Sequence, residues 1–258
     1  MKKKFPSITA KIPALISLGI FVLLWHCMCK TGILPEFMVP SPEAVYRAFM
    51  EDFNILMMHT GVTLMEAFYG LLIGIIVAFL AATIMDRWEL INKALSPVLI
   101  ITQTIPTIAI APLLVLWMGF GIEPKITLVA ITTFFPMAVG LLDGYKSVDM
   151  DSVRLLRAMG ATPYKIFVNV KFPSALPHFF SGLKIAASYA VVGAVISEWI
   201  GGFEGLGVYM TRVMKAYAFD RMFAVILLII VISLMLMGLV DIIKMVSMPW
   251  LMEERRQK

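Results

Sequence analysis

The sequence predicts an all-α, polytopic membrane protein with six transmembrane helices. Two observations carry this. Of 258 residues, 60% are hydrophobic and only 15% are charged, with a mean hydropathy of +0.89. A soluble domain of this length needs far more polar surface to cover its core. The apolar residues also gather into six runs, 12–28, 62–84, 98–118, 126–142, 182–200 and 222–243, close to the ~20 residues that a bilayer span requires.

The first run follows Lys2, Lys3 and Lys4, but no small-residue cleavage site ends it, so it reads as an uncleaved first span. Cys27 and Cys29 stand two residues apart and face different sides of that helix, which argues against a disulfide or metal site. The segment 31–59 carries Pro35, Pro40 and Pro42, then an amphipathic stretch over 43–58. Ser41 as cap and Pro42 at the first helical position predict a short interfacial helix there.

The second run holds Glu66 one turn in, either snorkelling outward or paired across a dimer, and a Gly70–Gly74 small-residue spacing. That spacing serves either a dimer seam or packing within one chain, as does the set Ala186, Ala190 and Ala194. In the third run, Pro106 removes a backbone donor among Gln103, Thr104 and Thr107. These polar residues either line a substrate cavity or repair the kink. The fourth run is short. Thr132, Thr133, Phe134 and Phe135 precede Pro136, and the aromatics either stack on a planar substrate or pack. Glu198 lies near the outer end of the fifth run, where the helix dipole disfavours a negative charge. It needs compensation, from amides of 201–207 or from a basic residue, and serves to fix the outer loop or to meet a partner. His26, His59 and His178 are too scattered to form a metal or catalytic cluster.

Orientation follows from Lys and Arg. With the N-terminus inside, the inner side holds most of them, including Lys2, Lys3, Lys4, Arg87, Lys93, Arg154, Arg157, Lys165, Lys171, Arg255, Arg256 and Lys258. This predicts both termini in the cytoplasm. The net charge of +5 is the ordinary signature of basic cytoplasmic loops and implies no nucleic acid. No internal repeat or linker divides the chain, so 1–258 reads as one domain with a core over 60–245.

The cytoplasmic loop 151–177 is the most structured connection. Asp151 or Ser152 caps a helix running to Met159, and Gly160 takes the left-handed position that ends it. Thr162 caps a second helix with Pro163 at its first position; Phe172-Pro173 stops it, and Pro177 marks entry into the fifth span. Val153, Leu156 and Gly160 share a face, with Leu155 and Met159 beside it and Arg154 and Arg157 flanking. Such a ridge suits a groove on a soluble partner or a bed of lipid headgroups.

The stretch Gly160–Pro177 resembles the cytoplasmic signature loop of bacterial ABC importer permeases. Gly160 stands for that loop's glycine and Val170-Lys171-Phe172-Pro173 for its apolar-x-Leu-Pro. Arg154-Leu155-Leu156 replaces the Glu-Ala-Ala triplet, so the acidic residue is missing. Thr104-Ile105-Pro106, Ala111-Pro112-Leu113, Trp117-Met118-Gly119-Phe120-Gly121, Phe134-Phe135-Pro136, Glu198-Trp199-Ile200-Gly201-Gly202 and Gly205-Leu206-Gly207 extend the likeness to the branch serving sulfonates, taurine, nitrate and thiamine precursors.

The resemblance implies a type I (MetI-like) permease in the bacterial inner membrane. It also implies a non-catalytic subunit, working as a homodimer or with a second permease, and two further proteins: a cytoplasmic ATPase and an extracytoplasmic substrate-binding protein. The coupling loop 151–171, with Val153, Leu156, Met159, Gly160, Ala161, Pro163 and Pro173, is expected to dock the ATPase. Gln103, Thr104, Thr107, Thr133, Phe134, Phe135 and Glu198 are the candidate pathway residues. No Gly-x-x-x-x-Gly-Lys-Ser/Thr occurs, so ATP, the one cofactor expected, belongs to the partner. The expected cargo is a small organic molecule, a thiamine-precursor pyrimidine first, then a sulfonate such as taurine, nitrate, or another heteroaromatic vitamin. An ion-coupled carrier would need intramembrane carboxylates away from the span ends or matching broken helices in two similar halves. A membrane enzyme would need a nucleophile and base at one depth.

Overall fold

The computed structural model of the chain describes residues 8–35 and 37–249. The basic residues Lys2, Lys3, Lys4, Arg255, Arg256 and Lys258, and with them the expected side of both termini, lie outside the described residues. Among the described residues every regular element is helical.

Helix α1 (Ile8–Lys30) is fixed to the rest near its end. Trp25 Nε1 donates to Pro40 O at 3.1 Å, its ring meets Phe223 at 6.0 Å, and Cys29 Sγ approaches Val39 O at 3.6 Å. The remaining side chains from Leu15 to Leu24 face outward, as a lipid-facing helix requires. Helix α2 (Pro42–Glu51) starts as expected: the Ser41 hydroxyl accepts the Ala44 N–H at 3.3 Å and proline occupies the first turn. It ends at Glu51 rather than at Met58, because α3 (Phe53–Arg87) begins there and runs 35 residues, about 50 Å.

The expected third span is two helices, α4 (Glu89–Thr104) and α5 (Thr107–Met118), set at 99° to one another. Pro106 cannot donate and so forms the cap of α5 rather than a kink inside one helix. Helix α6 (Glu123–Lys146) is the fourth span. Then α7 (Met150–Ala158), α8 (Pro163–Ile166) and a π-helical turn (Phe167–Lys171) lead straight into α9 (Phe172–Gly201). The helix was expected to stop at Phe172-Pro173 and the fifth span to start near Gly182. Instead Pro173 sits in the first turn of α9, where its missing N–H is tolerated, and Pro177 lies inside the helix. A short helix, α10 (Leu206–Lys215), and a last long apolar helix, α11 (Phe219–Ser247), follow.

Among the described residues, four helical stretches are long and apolar enough to cross a bilayer: α3, α6, Pro163–Gly201 and α11. The bent pair α4–α5 makes a fifth if it is one span, and the described apolar stretch of α1, Leu15–Lys30, is shorter.

Helices α6 and α9 form the centre. Their backbones nearly touch: a Cβ on Gly144 would lie 2.6 Å from Ala175 Cα, and one on Gly182 would overlap Pro136 O. Without aqueous hydrophobic drive, such close approach is what holds membrane helices together. The Gly70–Gly74 face of α3 is likewise a seam within the chain, pressed on Val129 and Thr133 of α6. Ala186, Ala190 and Ala194 of α9 are fully buried within the chain as well, the last two clustered with Ala67 of α3 and Val129 of α6.

Candidate functional site

Three places are candidates for function. The first is a buried cluster at the end of the bundle that carries α10. His59, Thr63 and Glu66 lie at i, i+4 and i+7 on α3, one face of the helix, and all three are buried. Across from them α9 brings Glu198, only 1% exposed. Glu198 accepts the Thr63 hydroxyl at 2.7 Å and the Gly207 N–H at 2.6 Å. The Leu206 N–H donates to Thr63 Oγ1 at 2.9 Å and the Gly205 N–H to His59 Nδ1 at 3.0 Å. The first amides of α10 are therefore capped by side chains from two other helices. Glycine is needed at 205 because φ there is +117° and a Cβ would collide with the Glu198 carboxylate. Of the amides expected to compensate Glu198, Gly207 donates to it directly, and Thr63 adds its hydroxyl.

Glu66 does not snorkel outward. Lys125, in the first turn of α6 and itself buried, donates to Glu66 Oε1 at 2.7 Å. The sequence assigns Lys125 and Thr63 no role and shows His59 only as one of three scattered histidines. The polar stripe at i, i+4 and i+7 in an apolar helix was the available signal.

The second place is the break between α4 and α5. Leu99 of α4 packs with Ala82, Met85 and Tyr145 at one end of the bundle, whereas Ala111 and Leu114 of α5 pack with Leu128 nearer the other, α10 end. The break thus lies between the two ends. Gln103 and Thr104 are exposed there and Thr107 is half-buried. Thr104 Oγ1 bonds Ile101 O at 2.8 Å, and no side chain caps α5. The other candidate pathway residues sit elsewhere. Thr133 is fully buried against Gly74 and donates to Val129 O at 2.8 Å; Phe134 and Phe135 pack half-buried among core residues; Glu198 belongs to the outer cluster.

The third place is the segment of α7 and α8. The cap of α7 is Asp149, not Asp151 or Ser152 as expected. It accepts the Asp151 and Ser152 N–H groups at 3.1 and 3.2 Å and the Ser152 hydroxyl at 2.7 Å. These bonds, the Ser152 hydroxyl first, hold its carboxyl below the usual aspartate range. At the other end Gly160 has φ +82°, and the Ala161 N–H reaches back to Leu156 O at 2.9 Å, closing the helix. Thr162 caps α8 through the Lys165 N–H at 3.4 Å.

Val153 turns inward, 2% exposed, onto Val148 and Ile166, with Leu156 and Ala161 partly covered beside it. The ridge expected on Val153 and Leu156 is therefore the segment's own small core. The apolar side chains presented outward are Met150, Leu155, Met159 and Tyr164, and Gly160 and Pro163 are exposed between them.

A bundle of apolar helices around a close-packed pair, with a broken helix between its ends and a capped helical segment on one side, has the build of a polytopic membrane subunit. Residues 49–244 match the family described as binding-protein-dependent transport system inner membrane component. The chain belongs to that family: it is the permease subunit of an ABC importer, a multi-pass inner-membrane protein whose family works with an ATPase and a binding protein.

The chain is 37% identical to a probable ABC transporter permease protein of Haemophilus influenzae, over 88% of this chain and 93% of that one. It is 32% identical to the formylaminopyrimidine transport permease protein of Halalkalibacterium halodurans, over 97% and 98%. The taurine transport system permease protein of Escherichia coli is 25% identical over 85% and 82%. The inward-facing methionine ABC transporter shares the fold, with a TM-score of 0.59 and 21% identity over 74% of this chain and 94% of that one. These likenesses agree with the all-α, MetI-like architecture and the importer class expected from the sequence.

Proposed function

We propose that the chain carries a formylated aminopyrimidine through a pathway that includes the α4–α5 break, and that α7 docks the ATPase. The observation that supports this most is the break itself. Irregular backbone at membrane depth is tolerated only where protein buries it or water reaches it. Here Gln103 and Thr104 stand open beside an uncapped helix start. They offer amide and hydroxyl groups suited to a neutral heterocycle. No Lys or Arg occurs from residue 94 to 124, so a sulfonate or nitrate would meet no cation there. The full-length likeness to the formylaminopyrimidine permease agrees with this cargo; the taurine and sulfonate relatives keep an organic sulfonate as the second reading.

In this reading two copies of the chain enclose the pathway, with both termini in the cytoplasm. Phe134 and Phe135 border it; Thr133 and Glu198 support it from buried positions. Val153, Leu156, Ala161 and Pro173 shape the docking segment, and Met159, Gly160 and Pro163 lie on its exposed side. ATP binds to the partner subunit.

The test is ATP hydrolysis by the reconstituted complex with its binding protein, offered formylaminopyrimidine, taurine and nitrate in turn. Stimulation by the pyrimidine, reduced in Gln103→Leu and abolished in Gly160→Val, supports the reading. Valine at φ +82° forces the turn after α7 out of shape. Stimulation by taurine alone moves the assignment to a sulfonate, and uptake driven by an ion gradient without ATP overturns it.

A further inference from the structure

Lys171 closes the π-helical turn that follows α8, and its ammonium reaches back across 85 residues of sequence to Asp86, next to the end of α3. Nζ donates to Asp86 Oδ1 at 2.9 Å and to Oδ2 at 2.7 Å. The two side chains are only 27% and 18% exposed, so solvent screens this pair far less than the open pairs Lys93–Glu89 and Arg154–Asp151.

Aromatic contacts join the same elements. Phe172 meets Phe79 of α3 edge-on at 5.9 Å, and Phe167 meets Tyr145 of α6 at 5.6 Å and Phe172 at 6.3 Å. Ring contacts are broad in geometry and tolerate sliding. A shielded ion pair with two short bonds does not, since separation leaves a charge without its partner.

The link has a body on each side. Toward the cytoplasm, α7 and α8 move together because Val153, Val148 and Ile166 form one small core. Toward the outside, α3 is a single helix without a proline, and its far half carries His59, Thr63 and Glu66, which hold α10 and Lys125. The π turn adds a second reason: such turns sit inside helices at functional positions, where they change the angle at which the next side chain leaves.

We propose that the Lys171–Asp86 ion pair transmits displacement of α7–α8 to α3, which makes both residues positioning residues for transport. This rests on the reading that α7 docks an ATPase. Loss of the pair uncouples hydrolysis from movement of the outer cluster, whereas a merely stabilising pair would lower both or neither.

The test uses the whole complex in proteoliposomes, with Cys27→Ser and Cys29→Ser as background and Phe203→Cys as an exposed outer reporter beside the Glu198 cluster. A membrane-impermeant maleimide reports the labelling rate before and after trapping with ATP and vanadate. Trapping should alter the rate in the background. Lys171→Gln and Asp86→Asn should still hydrolyse ATP and trap nucleotide, but the change in labelling falls about tenfold, within the usual range of coupling factors. The exchange Asp86→Lys with Lys171→Asp should restore it. An undiminished labelling change in either neutral variant, or no recovery in an assembled exchange variant, overturns the proposal. Failure of the background to trap nucleotide overturns the docking reading, and the inference falls with it.

Discussion

Thr63 joins Glu198 to the first turn of α10: its hydroxyl donates to Glu198 Oε1 at 2.7 Å and accepts the Leu206 N–H at 2.9 Å. Thr63→Val keeps the shape and removes both bonds, leaving a buried carboxylate oxygen and a buried N–H without partners. The expected cost is about 1–3 kcal/mol, read as a lowered unfolding temperature of the purified protein in detergent. Thr63→Ser should recover most of it. Equal stability of the valine variant and the wild type would remove the cluster from any account of the outer end.

Lys125 and Glu66 make the sharper electrostatic prediction, because both are buried and Lys125 is the cation that meets Glu66, whose other neighbour is the Glu198 carboxyl. Lys125→Met strands the carboxylate and should cost roughly 3–5 kcal/mol. Replacing both, Glu66→Leu with Lys125→Met, should cost much less than the two single changes together. A double-mutant cycle on thermal unfolding checks it, and additive single costs would show that the two do not interact.

Much of this was legible in the sequence because local chemistry decides it. Ser41 with Pro42, Thr162 with Pro163, and Gly160 each fix one helix end through groups a few residues apart, and all three stand where the pattern placed them. The long-range pairs were not legible. Lys125 lies 59 residues from Glu66, and Lys171 lies 85 from Asp86, so no local spacing announces either. Pro106 signalled an interruption, but the 99° bend depends on α4 packing at one end of the bundle and α5 at the other. The run through Phe172-Pro173 was misread because a proline inside an apolar pattern usually ends a helix. Here it falls in the first turn after a π-helical stretch, where its missing N–H matters little. Gln103, Thr104 and Thr107 stand out in the sequence as polar residues beside Pro106, whereas His59 and Thr63 acquire meaning only once the amides of α10 are laid against them.

The outer surface supplies a pH prediction. Tyr209 on α10 donates its hydroxyl to Asp52 Oδ2, and Arg221 lies 3.2 Å from the same carboxylate. Burial first, then the bond to Asp52, pushes the Tyr209 hydroxyl above the ordinary tyrosine range. A group raised on folding adds stability that is complete below its unfolded value, about 10, and is lost as pH rises through the folded value. Between pH 6 and 9 this interaction should therefore be constant. Tyr209→Phe should lower stability by about 1 kcal/mol with no pH slope across that window, read from thermal unfolding at several pH values. A slope that disappears in the phenylalanine variant would contradict it.

The cytoplasmic segment separates docking from folding, because its apolar residues divide into two sets. Leu155 and Met159 are 63% and 73% exposed, so an aspartate at either position meets water and leaves the helix in place. Leu155→Asp or Met159→Asp should thus cut co-purification of the ATPase while the unfolding temperature of the isolated permease stays put. Val153, 2% exposed against Val148 and Ile166, should behave in the opposite way. Val153→Ala opens a cavity in the segment's own core at a cost on the order of 2 kcal/mol, loosening α7 and weakening docking only through that loss. The decisive comparison is stability against co-purification for the three variants. If Leu155→Asp and Met159→Asp retain the ATPase in full, the outward face of α7 is a lipid-facing surface rather than a docking one.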